Sequence, residues 1–204
     1  MSQPRHVLLA TRSAGKLREI RAWVEGTPLV WHGLEEFPHV AEPEETGRTF
    51  AENARLKALY YAEHSGMSTL ADDSGLEVDG LGGEPGVHSA YFAGRPRDDA
   101  ANNHKLVRLI AHVPPADRTA RYQCVMAFVH GGSVVLETHG AVEGVIIETP
   151  RGREGFGYDP HFWLPDRGRT MAELSPDEKN AISHRGRALR AILPQILHLL
   201  GAQP

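Results

Sequence analysis

Asp72 and Asp73 are adjacent carboxylates in a stretch, Ser68–Gly83, that reads STLADDSGLEVDGLGG. A carboxylate pair flanked by apolar residues can hold a hard divalent cation or take a proton from water. Thr69, Leu70 and Ala71 read as the end of a short buried strand, Ser74-Gly75 as a turn, and Leu76 to Asp79 as an alternating second strand. Successive strand residues point to opposite faces, so only one of the two Asp side chains can address a given cleft. The stretch by itself also suits a solvated turn whose carboxylates bond nearby backbone N–H groups. The rest of the chain has to decide.

Four other places carry chemistry. Thr11-Arg12-Ser13-Ala14-Gly15-Lys16 joins the apolar run His6–Ala10 to a segment in which Leu17, Ile20 and Val24 recur at helical spacing. A strand–loop–helix junction offers unpaired N–H groups and the positive end of a helix dipole, which suit phosphate, and Lys16 adds a point charge. It is not a G-x-x-x-x-G-K-[ST] loop. Residues 35–48 form an acidic loop with Glu42, Glu44 and Glu45, either simply solvated or able to supply carboxylates to Mg²⁺. Gly155-Phe156-Gly157-Tyr158-Asp159-Pro160 either presents a ring for stacking or plugs the core beside a turn. Lys179, Ser183, His184 and Arg185 gather near the start of the last helix as a polar recognition surface, with Arg185 on the inner stripe of Ile182 and Leu189. A charge on an inner face requires a partner, a ligand or an escape to the surface.

The elements that must position these residues are legible in outline. Leu29–His32 suits a strand. Thr49-x-x-Glu52 is a capping box opening a helix to about His64, with Ala51, Ala54, Ala58, Leu59 and Ala62 as its apolar side. Asn53 and Lys57 share another face of that helix, where a solvated Lys57 is the plain reading. Asp98–Val113 suits a helix with Leu106, Val107, Leu109 and Ile110 inward. Thr119–His130 and Ser133–Ile147 flank Gly131-Gly132 as a β-hairpin that serves as scaffold, as a second sheet or as a dimerisation surface. Ser175-Pro176-Asp177-Glu178 opens the last helix with a second capping box, and Pro194 is expected to bend or end it.

With 204 residues, 41% hydrophobic and 24% charged, the chain suits one domain with a substantial core. A formal charge of −4 argues against a polynucleotide partner held by bulk electrostatics but allows a small anion held by local Lys and Arg. No apolar run reaches a membrane span, and the polar Met1-Ser-Gln-Pro-Arg5 is no signal peptide, so a cytoplasmic protein is expected. Cys124, the single cysteine, sits in an apolar run as a packed thiol. Twelve His residues are scattered without metal-ligand spacing.

In order and spacing, four segments resemble the family of inosine/xanthosine triphosphate pyrophosphatases. They are TF-x-ENA-x-x-KA from Thr49, ADDSGLEVD-x-LGG-x-PGV-x-SA from Ala71, GFGYDP from Gly155 and EKNAISHRG from Glu178. The resemblance covers nearly the whole chain. It implies an elongated, two-lobed α/β fold over residues 1–204, with a central mixed sheet flanked by helices and a nucleotide cleft between the lobes. A homodimer and Mg²⁺, or Mn²⁺ in its place, are implied too. The implied reaction is hydrolysis of ITP, dITP or XTP to the monophosphate and pyrophosphate. By motif matching, Asp73 takes the catalytic-base and metal-ligand position, with Asp72 as a support or second-choice base. Glu44 or Glu45 is the second metal carboxylate. Thr11, Arg12, Ser13, Ala14, Gly15 and Lys16 match the triphosphate loop, with Lys57 as a further phosphate cation and Ser74 as a substrate contact. Phe156, Gly157, Tyr158, Asp159, Lys179, His184 and Arg185 match the nucleoside-binding positions.

One position departs. The family's first motif reads T-x-N-x-x-K, and Ser13 stands where Asn is usual. Ser is shorter and lacks the amide's separate donor and acceptor, which implies a looser phosphate contact. A nucleotide sensor without turnover, and a pyrophosphatase for modified pyrimidine or canonical nucleotides, are the alternatives.

Overall fold

The structure is a computed structural model and describes residues 5–202. The polar segment Met1–Pro4, expected to be no leader, lies outside the described residues.

Among the described residues, seven strands form one mixed sheet in the order β2-β1-β3-β4-β5-β6-β7, so the hairpin around Gly131-Gly132 is part of this sheet and not a second one. They are β1 (Arg5–Leu9), β2 (Leu29–Gly33), β3 (Ser68–Val78), β4 (Thr119–His130), β5 (Ser133–Ile146), β6 (Phe162–Leu164) and β7 (Arg169–Thr170). β1 pairs in parallel with β2 and β3, whereas β6 pairs antiparallel with β5 and β7. The helices are α1 (Ala14–Val24), α2 (Phe50–Ser65), α3 (Asp99–Ile110), α4 (Pro176–Ile182) and α5 (His184–Leu199). Among the described residues, no helix is long and apolar enough to cross a membrane.

The chain divides into two compact units. The first comprises Met1–Asp73, Cys124–Gly140 and Arg185–Pro204, and the second Ser74–Gln123 and Ala141–His184. In the first, Val7 and Leu9 of β1, Ile20 and Val24 of α1, Met126 and Phe128 of β4, and Leu189, Ile192 and Ile196 of α5 make one apolar core. Cys124 is buried there and unbridged, as expected, and burial pushes its thiol up to about 12. The second unit has its own core, with Leu76, Val78, Leu106, Ile110, Val142, Phe162 and Met171.

Several elements differ from the sequence reading. No turn interrupts Ser68–Val78: Ser74-Gly75 lies within one eleven-residue strand. Strand pairing there outweighs the glycine's turn preference, and the two Asp residues are therefore consecutive in a regular strand. The last helix is two helices. Ser183 is extended at φ −65° and ψ 159° and ends α4, so Ile182 packs on the second unit's core while Leu189 packs in the first unit's core. Of the two outcomes expected at Pro194, a bend or an end, the end is not found: α5 runs through it to Leu199. β6 and β7, at three and two residues, are too short to show a periodic pattern in sequence.

The capping boxes at Thr49/Glu52 and Ser175/Glu178 are both complete. The buried face of α2 is nevertheless not its alanine stripe alone. It comprises Phe50, Asn53, Ala54, Lys57, Ala58 and Tyr61, and Leu59 is exposed. A helix that buries Asn and Lys must bring them partners, because unpaired polar groups are costly inside.

Candidate active site

The first unit supplies those partners from β3. Lys57 Nζ lies 2.7 Å from Asp73 Oδ1 and 2.9 Å from Glu45 Oε1. Asn53 Nδ2 donates to Asp73 Oδ2 at 3.4 Å, and Asn53 Oδ1 accepts from the Gly47 N–H at 2.8 Å. One helix face thus ties the catalytic candidate Asp73 to the acidic loop. Gly47 is required by this approach: a Cβ there would stand 2.5 Å from Asn53 Oδ1 and 2.7 Å from Glu52 Cβ. Glu45 is joined to the cluster through Lys57, whereas Glu44 is exposed on the loop.

Asp72 serves a different set. Lys16 Nζ lies 3.1 Å from Asp72 Oδ2, and Arg185 donates to the same oxygen from Nε at 3.4 Å and Nη2 at 3.3 Å. Glu19 of α1 accepts from Arg185 Nη1. Consecutive strand residues face opposite ways, so the two carboxylates meet separate cation sets. The strand geometry makes this separation; a turn would not.

Electrostatics distinguish the two aspartates further. For Asp72, burial opposes charge, but Lys16, Arg185 and Lys57 outweigh it and hold the carboxyl well below its ordinary value. For Asp73 burial wins over Lys57 and Lys16, and Glu45 adds to it, so this carboxyl is raised. Burial also opposes charge on Lys57, yet Asp73, Glu45 and Asp72 together keep its ammonium above the ordinary lysine range. A carboxylate with a raised pKa is the better proton acceptor of the pair.

Thr11 to Lys16 form the entry to α1. Ser13 is the helix N-cap, accepting from the Lys16 N–H at 3.5 Å, and the Ser13 N–H donates to Thr11 Oγ1 at 3.3 Å. Ala14 and Gly15 begin the first turn. Arg12 is largely exposed and donates to the Val40 carbonyl. The departure from the family's Asn therefore falls on a residue that also caps a helix, a task Ser and Asn perform about equally well.

The second unit holds the other candidates. Lys179 Nζ is 2.5 Å from Asp159 Oδ2 and 4.6 Å from the centre of the Phe156 ring. Asp159 Oδ2 also accepts from the Phe156 N–H at 2.9 Å. Gly155, at φ +78°, makes this fold-back feasible, since a Cβ there would stand 2.1 Å from Asp159 Oδ2. The Gly157 N–H donates to Asp99 Oδ2 at 3.0 Å and its carbonyl accepts from Asn103 Nδ2 at 2.8 Å, which fixes the loop to α3. Phe156 is half-buried. Tyr158 is a core residue whose hydroxyl donates to the Ser89 carbonyl. His184 stacks on Tyr122 at 4.7 Å, and Ser74, next to Asp73 in β3, is half-buried. Lys179, Ser183 and His184 of this unit and Arg185 of the first unit, expected as a polar recognition surface, are each buried.

Sequence reasoning missed Glu19, Tyr122, Asp99 and Asn103. Glu19 lies one helical turn beyond Lys16 and gave the only signal: a carboxylate on α1 able to answer the inward Arg185. The sequence marks Asn53 as the companion of Lys57 on α2 and carries no sign of its link to Gly47.

These features define an α/β protein whose mixed sheet carries two buried carboxylates, matched on one side by Lys16 and Arg185 and on the other by Lys57. The chain belongs to the Ham1 family, whose model matches residues 7–195. It is 49% identical over 183 residues to a dITP/XTP pyrophosphatase of Geobacter sulfurreducens, covering 90% of this chain and 92% of that protein. A dITP/XTP pyrophosphatase of Geobacillus kaustophilus is 46% identical over 98% of both chains. Among solved structures, a HAM1 protein from Coxiella burnetii matches with a TM-score of 0.87 at 40% identity, covering 95% of this chain and 99% of that one.

Proposed function

We propose that this protein hydrolyses non-canonical purine nucleoside triphosphates, dITP, ITP and XTP, to the monophosphate and pyrophosphate. The observation that carries the reading is the pairing of a buried carboxyl of raised pKa, Asp73, with Lys57 and Glu45, in a family whose similar relatives are dITP/XTP pyrophosphatases.

A triphosphate carries roughly four negative charges near neutral pH, so water can attack only where cations offset them. Lys16, at the N-terminal turn of α1, and Lys57 meet phosphate oxygens, and the N–H groups of that turn add donors. Asp73 accepts the proton of the attacking water as the bond between the α- and β-phosphates breaks and pyrophosphate leaves. Asp72 holds Lys16 and Arg185 in position. The donor set of Asp73 and Glu45 suits Mg²⁺, which takes one or two carboxylates and completes its shell with water and phosphate oxygens. Bound there, Mg²⁺, or Mn²⁺ in its place, supplies charge neutralisation for the phosphates. Glu44 is the reserve ligand.

Base choice rests on donor polarity. Lys179 and His184 offer N–H groups that suit the 6-oxygen of hypoxanthine or xanthine and mismatch the 6-amino group of adenine. Phe156 stacks on the base, and Ser74 contacts the substrate. The whole chain acts as one pyrophosphatase domain, as a cytoplasmic homodimer; the family resemblance supports this.

The test is pyrophosphate release from a nucleotide panel with Mg²⁺. Release from dITP, ITP and XTP well above ATP is expected. Equal release from ATP removes the substrate claim, and tight binding without release identifies a sensor.

A further inference from the structure

The position at which Asp73 and Glu45 converge is held by the protein's own cation. We propose that Lys57 is a resident counter-ion that competes with the divalent metal for Asp73 and Glu45, and yields it the carboxylates when a triphosphate gives the ammonium another partner. This rests on the pyrophosphatase reading above.

Three observations support it. Lys57 Nζ contacts both carboxylates, at 2.7 and 2.9 Å, so a cation bound by the same oxygens meets the ammonium directly. Lys57 is 7% exposed and so cannot simply retreat into water. The carboxylates are also unequally held. Asp73 Oδ2 receives the Asn53 amide, and Asn53 is anchored by the Gly47 N–H, so Asp73 keeps its place when Lys57 moves. Glu45 lies on a loop with its side chain 29% exposed, and can follow an incoming ion.

Like charges crowded in a low-dielectric interior repel strongly, so ammonium and metal exclude one another while nothing else balances them. A triphosphate reverses this, because its several negative charges accept both cations at once. Metal and nucleotide therefore bind cooperatively, and linkage requires each to raise the other's affinity by the same factor. The arrangement also keeps buried Asp73 paired with a cation in the empty protein, where an unpaired charge would be costly.

The test measures Mn²⁺ binding by electron paramagnetic resonance on the full chain, without nucleotide and with a non-hydrolysable dITP analogue. The wild-type protein is expected to bind Mn²⁺ at least tenfold more tightly with the analogue present. Lys57→Met and, as a second variant in case the first fails to fold, Lys57→Gln are expected to bind Mn²⁺ at least tenfold more tightly than wild type without nucleotide, with most of the cooperativity lost. Unchanged or weaker Mn²⁺ binding by a folded variant, or no cooperativity in the wild type, overturns the proposal. Pyrophosphate release from dITP by the wild type is scored separately. Its absence refutes the pyrophosphatase reading, whereas normal release without the Mn²⁺ effect refutes only the role of Lys57.

Discussion

Arg185 Nε and Nη2 both donate to Asp72 Oδ2, at 3.4 and 3.3 Å, joining the first turn of α5 to the middle of β3 across 113 residues of sequence. Arg185 is 1% exposed and Asp72 2%, so this is an interior ion pair, extended by Lys16 and Glu19. Removing the Asp72 carboxylate takes a buried partner from both Lys16 and Arg185 and leaves Arg185 to Glu19, and breaking such a pair costs about 3–5 kcal/mol.

Asp72→Asn is therefore expected to lower stability at pH 7 by about that amount, read from urea unfolding. Its pH dependence follows from the direction of the shift. The folded pKa lies below the ordinary value of 3.8, so the stability Asp72 contributes is present above that value and is lost as pH falls through the lower folded pKa. The gap between wild type and variant should close as the acid limb is descended. A constant gap would show that the carboxylate's charge is not what matters.

Asp73→Asn should reduce pyrophosphate release from dITP about 10²–10⁴-fold, the usual worth of a positioned base, while the fold persists by circular dichroism. Burial raises the Asp73 carboxyl in the metal-free protein and a bound divalent cation lowers it, so the acid limb of wild-type turnover should move to lower pH as Mg²⁺ is increased. Near-normal turnover in the variant would take Asp73 out of the reaction.

Gly47→Ala places a methyl 2.5 Å from Asn53 Oδ1 and 2.7 Å from Glu52 Cβ, so the acidic loop must shift from α2. The Mg²⁺ concentration for half-maximal rate should rise several-fold while the melting temperature changes little. An unchanged metal requirement would mean that loop placement does not govern the metal.

Ser13→Asn restores the family's usual residue and retains a good N-cap, so no loss of stability is expected. A longer side chain with separate donor and acceptor should lower KM for dITP several-fold at similar kcat. A higher KM would indicate that the surrounding loop has adapted to Ser.

Lys179→Gln keeps a donor but removes the charge facing Asp159 and the Phe156 ring. Each mismatched buried polar group is worth about 1–3 kcal/mol, so the dITP-over-dATP ratio of kcat/KM should fall about 5- to 150-fold. An unchanged ratio would limit Lys179 to holding the GFGYDP loop.

The chain's local patterns determined much of this. The capping boxes, the strand–loop–helix at Thr11–Lys16, the long strands β4 and β5 and the motif residues were all legible, because caps and periodicity act over a few neighbouring residues. What the sequence left open was which way each polar side chain faces. ADDSG reads as a strand end running into a turn, and only its pairing in the sheet makes it continuous strand and sends Asp72 and Asp73 to opposite partners. Lys57 reads as solvated on a weakly amphipathic alanine-rich helix, and only packing against β3 turns it inward. The break at Ser183, after which Arg185 reaches Asp72 and Glu19, has neither Pro nor Gly at the breaking residue to mark it. Local propensity is a matter of tenths of a kcal/mol per residue, whereas burying a charge against its partner is a matter of several. Charge pairing in the interior is decided by residues far apart in sequence, and it set the orientation of Asp73, Lys57 and Arg185.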